Sequence, residues 1–176
     1  QFTMQTQKEL VSLHPKHAIM NIDVLSFNRL AFRVFDELGK TDFVVLEETG
    51  KNLVLRKVAG EKKKELPVLG ANLKKMGYIS EVKSLLSEFM QYNVTPEMLE
   101  ELTGEGKTSS FSYKMRDVLT MYRGFLDYVE GTYITAEEIL DLLAELADDS
   151  ALLRGSTLVF DGFTGFTPNQ NKLLTV

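Results

Sequence analysis

The run Ser156-Thr-Leu-Val-Phe-Asp-Gly-Phe-Thr-Gly-Phe-Thr-Pro-Asn-Gln170 decides how the chain is read. Thr157 to Phe160 is β-branched or aromatic at most positions and uncharged, short enough for a buried parallel strand. It delivers Asp161 at the strand's carboxyl end, where open α/β sheets gather their ligand chemistry. Thr167-Pro168-Asn169-Gln170 then has the signature of a helix start. Thr167 is the N-cap, Pro168 occupies the first helical position and Gln170 closes a capping box.

Strand, Asp, tight turn and capped helix make up the layout of a Walker B segment, in which the Asp helps hold Mg²⁺. An acidic neighbour normally orients the attacking water there, and here that neighbour is Gly162. Working outward to the N-terminus, Phe2 to Leu13 reads as a helix ended by Pro15. Ala18 to Leu25, with Ile19, Ile22, Val24 and Leu25, reads as a strand. Ser26 caps a helix whose apolar positions Phe27, Leu30, Ala31, Val34, Phe35 and Leu38 recur at helical spacing before Gly39.

From Thr41 to Arg154 the pattern predicts helices only. Glu48 to Glu61 places Leu53, Val54 and Val58 along one side, and Glu65 to Met76 continues beyond a bend at Pro67. Ser80 to Gln91 is strongly amphipathic, Thr95-Pro96 starts a short helix, and Thr103 to Ser110 is a Gly/Ser/Thr loop. A long helix follows with Phe111, Met115, Val118, Leu119, Tyr122, Phe125 and Val129 on one face. The capping box Thr135-x-x-Glu138 opens the last helix of the block. The expected organisation is therefore α/β with a large helical insertion. Residues 1–40 begin the α/β domain, 41–154 form an all-helical subdomain, and 155–176 return with the Walker-B-like strand and helix.

Composition limits what this organisation can do. The 176 residues are 44% hydrophobic and 26% charged, which suits one globular domain or a small domain with an insertion. Cys is absent, so disulfides, thiolate metal sites and an iron–sulfur cluster are excluded within the segment. The formal charge of −5 makes any nucleic-acid contact a local one. No apolar run approaches the roughly 20 residues of a membrane span, and a cytoplasmic setting with no membrane partner is expected. A start at Gln1 without Met and an end inside a running helix suggest a piece of a longer polypeptide.

Leu25-Ser-Phe-Asn-Arg-Leu-Ala-Phe-Arg-Val-Phe35 resembles the segment of superfamily 1 helicases that begins with Thr-Phe and contacts the single strand. Thr157 to Gln170 looks like their valine-aspartate-glutamate-phenylalanine-glutamine segment with the Glu and Gln lost. The pairing of these motifs resembles the B subunit of AddAB-type bacterial ATP-dependent helicase–nucleases over essentially the whole chain. Gly50-Lys51, Glu88-Phe89 and Tyr113-Lys114-x-Arg116-Asp117 are also similar to that subunit. The resemblance implies a partial P-loop motor fold in a DNA double-strand-break repair complex whose A subunit is the motor and partner. ATP, Mg²⁺ and an iron–sulfur cluster are implied for the full-length family only. The phosphate-binding Gly-x-x-x-x-Gly-Lys-[Ser/Thr] loop and the nuclease domain lie outside the segment, so no cofactor and no catalytic residue is expected in it.

What the resemblance implies instead is single-strand DNA binding and recognition of a Chi sequence. Residue by residue it points to Gln1, Thr3, Phe27, Arg29, Phe32, Phe163 and Phe166, beside the Walker-B-like Asp161 and Gly162. The chemistry is suitable, since aromatic rings stack on bases and Arg pairs with a guanine edge. On spacing alone, however, Phe27, Phe32 and Phe35 read as core, and Arg29 and Arg33 as a solvated face paired with Asp36 or Glu37. Asp161 would serve equally as a turn cap. An alternative function is protein–protein docking of the motor subunit through the acidic helical insertion, and residual nucleotide binding is a third.

Overall fold

The computed structural model describes residues 2–72, 75, 77–103 and 110–175. Helix dominates: α1 (Phe2–Leu13), α2 (Phe27–Glu37), α3 (Glu48–Glu61), α4 (Tyr78–Gln91), α5 (Pro96–Thr103), α6 (Ser110–Val129), α7 (Glu138–Leu146), α8 (Ala151–Arg154) and α9 (Pro168–Leu174). Among the described residues the sheet consists of two short parallel strands, β1 (Val44–Leu46) and β2 (Tyr133–Thr135), with Val44 opposite Tyr133 and Leu46 opposite Thr135.

The sheet corrects three expectations. Ala18–Leu25 and Thr157–Phe160 run without ladder pairing. The real strands lie inside the block read as helices only. A strand's hydrogen bonds go to a distant partner, so β-type composition alone does not make one. Residues 66–72, expected in a helix, form turns after a 3₁₀ segment at Lys63–Glu65. At Gly70 a Cβ would come within 2.4 Å of the Leu66 carbonyl oxygen, so the turn there is tight enough to need glycine. Buried Asp117 on α6 holds it, its Oδ2 accepting the amide hydrogens of Val68 and Leu69 at 2.8 and 2.7 Å.

The parallel pair separates two cores, as side chains alternating along a strand require. Leu46 and Tyr133 join the larger core of α3, α4, α5 and α6, built from Val54, Leu55, Val58, Leu86, Leu99 and Phe125 among others. Val45 and Ile134 join the smaller one, where Ala31, Val34 and Phe35 of α2 meet Ile139 and Leu143 of α7. Leu53 and Phe111, both expected inward, are each 64% exposed, and Leu55 is buried in place of Leu53. Thus α7 packs on α2 and α9 rather than into the large core.

The start and stop signals act as their chemistry requires. Ser26 Oγ accepts the Arg29 amide hydrogen at 3.4 Å, and Lys40 N–H reaches back to the Phe35 carbonyl at 2.8 Å past Gly39. Thr135 and Glu138 exchange both capping-box bonds. Residues 104–109, most of the expected loop, lie outside the described residues, as does Gln1.

Candidate nucleic-acid interface

Local chemistry aims two separate segments at one another. Ser26 starts α2 so that Phe27 is its first residue. At the far end of the chain α8 is capped by Ser150, whose hydroxyl accepts the Leu153 amide hydrogen at 3.1 Å. Ser150 also donates to Glu37 at the end of α2, and Leu152 N–H donates to the same carboxylate at 2.9 Å. Those bonds, the Ser150 hydroxyl first, hold the Glu37 carboxyl below its ordinary pKa. The exposed extended run Ser156–Phe160 therefore leaves from a fixed point beside α2.

The turn beyond it is shaped by Gly162, at φ +75°. This left-handed conformation is strained for any side chain with a Cβ, a backbone reason for glycine where a carboxylate would otherwise stand. Thr167 then forms the expected capping box, its Oγ1 accepting from Gln170 N at 3.4 Å while Gln170 Oε1 accepts from Thr167 N at 2.9 Å. The chain between the two devices carries three phenylalanines onto Phe27.

Phe27 lies 6.0 Å from Phe160, 5.4 Å from Phe163 and 6.4 Å from Phe166, measured between ring centroids. Phe163 and Phe166 stack at 5.1 Å with planes 28° apart. Phe160 remains 42% exposed and Phe163 47%, so the cluster is a surface feature with ring faces and edges open to solvent. Beside it is a cavity of about 300 Å³ lined by Phe27, Leu30, Leu153, Arg154, Leu158 and Phe160 among others. A half-exposed aromatic cluster can take the face of an unstacked base, or an apolar side chain of a partner.

Of the sequence-derived site residues, Phe27, Phe163 and Phe166 are brought together. Phe32 is not in their cluster: it meets Phe35 edge-on at 6.0 Å and stays exposed. Arg29 is exposed on the first turn of α2. Arg33 pairs with Asp23 at 2.6 Å rather than with Asp36 or Glu37. Thr3 is half-buried on α1 and is not among the described residues that line the cavity, and Asp161 is exposed beside Gly162. Sequence reasoning misses Phe160 because an apolar run ahead of an Asp reads as interior, although its place near Phe163 in sequence is the available signal. Among the described residues, no group of three or more His, Asp or Glu side chains is arranged to hold a metal ion.

The family model described as "ADDB, N-terminal" matches residues 1–176. The chain belongs to that family. It is 47% identical over 176 residues to the B subunit of the ATP-dependent helicase/deoxyribonuclease of Lachnoclostridium phytofermentans, covering 99% of this chain and 15% of that protein. Proteins with the same description from Alkaliphilus metalliredigens and Clostridioides difficile are 36% and 30% identical, again over 99% of this chain and 15% of theirs. The chain thus spans 15% of the length of these relatives. No helix among the described residues is long and apolar enough to cross a membrane.

Proposed function

We propose that the chain is the helicase-like, non-catalytic segment of the B subunit in a DNA double-strand-break repair helicase–exonuclease, where it binds single-stranded DNA and contributes to Chi recognition. Its phenylalanine cluster is the DNA contact. The observation behind this reading is the convergence of Phe27 with Phe160, Phe163 and Phe166, half-exposed and adjacent to the turn that bears Arg29. Stacking suits a moving strand because every base has a π-face, and a guanidinium at the edge adds base selectivity. In this reading residues 1–40 and 155–176 belong to a P-loop-type motor fold whose strands come from other parts of the polypeptide, since these two segments contribute none among the described residues. Residues 41–154 are the insertion. ATP, Mg²⁺ and an iron–sulfur cluster act elsewhere in the complex, in the cytoplasm, with the motor subunit as partner.

Single-strand binding by the intact complex tests this. Phe163→Ala and Arg29→Ala are expected to weaken binding, Phe163→Ala by about 1–3 kcal/mol, and to reduce sequence-dependent stalling. Unchanged affinity together with unchanged stalling would overturn the assignment.

Docking of the motor subunit on the insertion is the second reading. Exposed Phe111 and Tyr113 at the start of α6 and Tyr92 at the end of α4 favour it. It requires that substitutions there weaken heterodimer assembly while the assembled complex still binds DNA.

A further inference from the structure

Between the two cores runs a chain of polar contacts, buried at Lys51 and Asn169, that neither reading uses. Lys51 on α3 is 1% exposed, and its ammonium donates to Glu137 Oε1 and Oε2 at 2.9 and 2.8 Å and to Ser87 Oγ at 3.3 Å. It also pairs with Glu48 Oε1 at 3.1 Å, so three acceptor side chains surround its three hydrogens. Glu48 in turn binds Lys83 of α4, and that bond, ahead of the one to Lys51, lowers its pKa.

Glu137 continues the chain on its other side. Its backbone carbonyl accepts from Asn169 Nδ2 at 3.4 Å, and the same amide donates to Asp141 Oδ2 at 3.2 Å. Lys172 holds the other oxygen of Asp141 at 2.9 Å. Asn169 and Lys172 belong to α9, and Asn169 is the second residue after the N-cap Thr167, which directly follows Phe166. Asn169 is buried, and its Oδ1 has no hydrogen-bond partner among the described residues. Turning the amide over would set Oδ1 against two acceptors, so the observed orientation is the one the carbonyl and the carboxylate demand. A buried amide kept at that cost is a sign of a positional requirement.

Stability alone does not account for the ion pair. An apolar pair of similar volume commonly supports a fold as well as a buried Lys–Glu pair does. An ion pair adds direction, because the ammonium hydrogens and carboxylate oxygens fit one relative placement of the two elements. Here those elements are α3 at the carboxyl end of β1 and the turn at the carboxyl end of β2.

We propose that Lys51, Glu137 and Asn169 are positioning residues that fix α9, and with it the Phe163–Phe166 turn, relative to the helical insertion. The proposal rests on reading that turn as the DNA contact. Movement of α3 is transmitted to the aromatic cluster through Glu137, whose side chain holds Lys51 and whose backbone carbonyl holds Asn169 of α9.

The test uses the full-length protein in its complex, with the double variant Lys51→Met/Glu137→Leu. Its unfolding midpoint is expected to stay near that of the parent. Amide hydrogen exchange over residues 161–171 is expected to accelerate roughly tenfold, with exchange in α6 unchanged. A merely structural pair would leave residues 161–171 alone once stability is preserved, and parental exchange there overturns the proposal. If the double variant does not fold, Asn169→Leu is measured in the same way, with the same expected and overturning results. A single-strand binding arm on the same variants separates the two claims. Faster exchange with weakened binding supports both, whereas faster exchange with parental affinity supports the relay and removes the DNA assignment of the turn.

Discussion

Phe125 and Phe163 are the same side chain put to opposite uses. Phe125 sits on α6, 1% exposed, in the core shared by α3, α4 and α5. Phe163 sits in a turn shaped by a left-handed glycine, among three other rings and open to solvent. The larger core takes Phe125 wholly out of water. The turn leaves Phe160 and Phe163 nearly half exposed, which a domain does at a place of contact.

That contrast can be broken most directly by truncating both rings. Phe125→Ala is expected to cost about 3–5 kcal/mol of stability in denaturant unfolding. Phe163→Ala is expected to cost about 1 kcal/mol or less, because its ring is only partly removed from water. Similar losses at the two sites would mean that the turn is ordinary core. A smaller effect sharpens the picture of the turn itself. Gly162→Glu restores a carboxylate beside Asp161 and is expected to destabilise by about 1–2 kcal/mol, since the new residue must hold a positive φ. An unchanged midpoint would show that the turn relaxes freely.

An effect absent at neutral pH belongs to the insertion. Burial first, then nearby carboxylates, push the Tyr122 hydroxyl up to about 12, while its oxygen meets the Val94 carbonyl at 3.2 Å. In the unfolded chain a tyrosine ionises near 10. Stability from this group is complete below about pH 10 and is lost as pH rises toward 12, where the unfolded state has already released its proton. Tyr122→Phe should flatten that part of a stability–pH curve, and an identical slope in the variant would refute the assignment.

How far the fold was legible depended on the range of the interaction. The helix start at Thr167 and the box at Thr135 and Glu138 involve partners three residues apart, and both formed as their spacing requires. The bounds of α1 and α3 also match the expected Phe2–Leu13 and Glu48–Glu61, although no side-chain cap closes the start of α3. Strand pairing has no such signal. Val44-Val45-Leu46 is too short to stand out, whereas Ala18–Leu25 and Thr157–Phe160 have strand-like composition without a partner among the described residues. The buried charges were equally hidden. Nothing near Lys51 marks it as interior, and its carboxylate is 86 residues away. For the candidate site, the motif resemblance found Phe27, Phe163 and Phe166, but not Phe160, nor that Phe32 faces elsewhere.

The separation of Lys51 from Glu137 also orders events during synthesis. At about 5–20 residues per second, a carboxylate 86 residues downstream leaves the ribosome on the order of ten seconds after the lysine it will bind. Helices that pack on their neighbours in sequence fold in microseconds to milliseconds. The α3–α6 unit therefore has time to gather its core while the Lys51 ammonium is still hydrated. The docking of β2 on β1 and the capture of Lys51 by Glu137 follow, and the contacts of α8 and α9 come after them. Until then the nascent chain carries a finished helical unit with a charged, unsealed face, the state in which a chaperone would meet it.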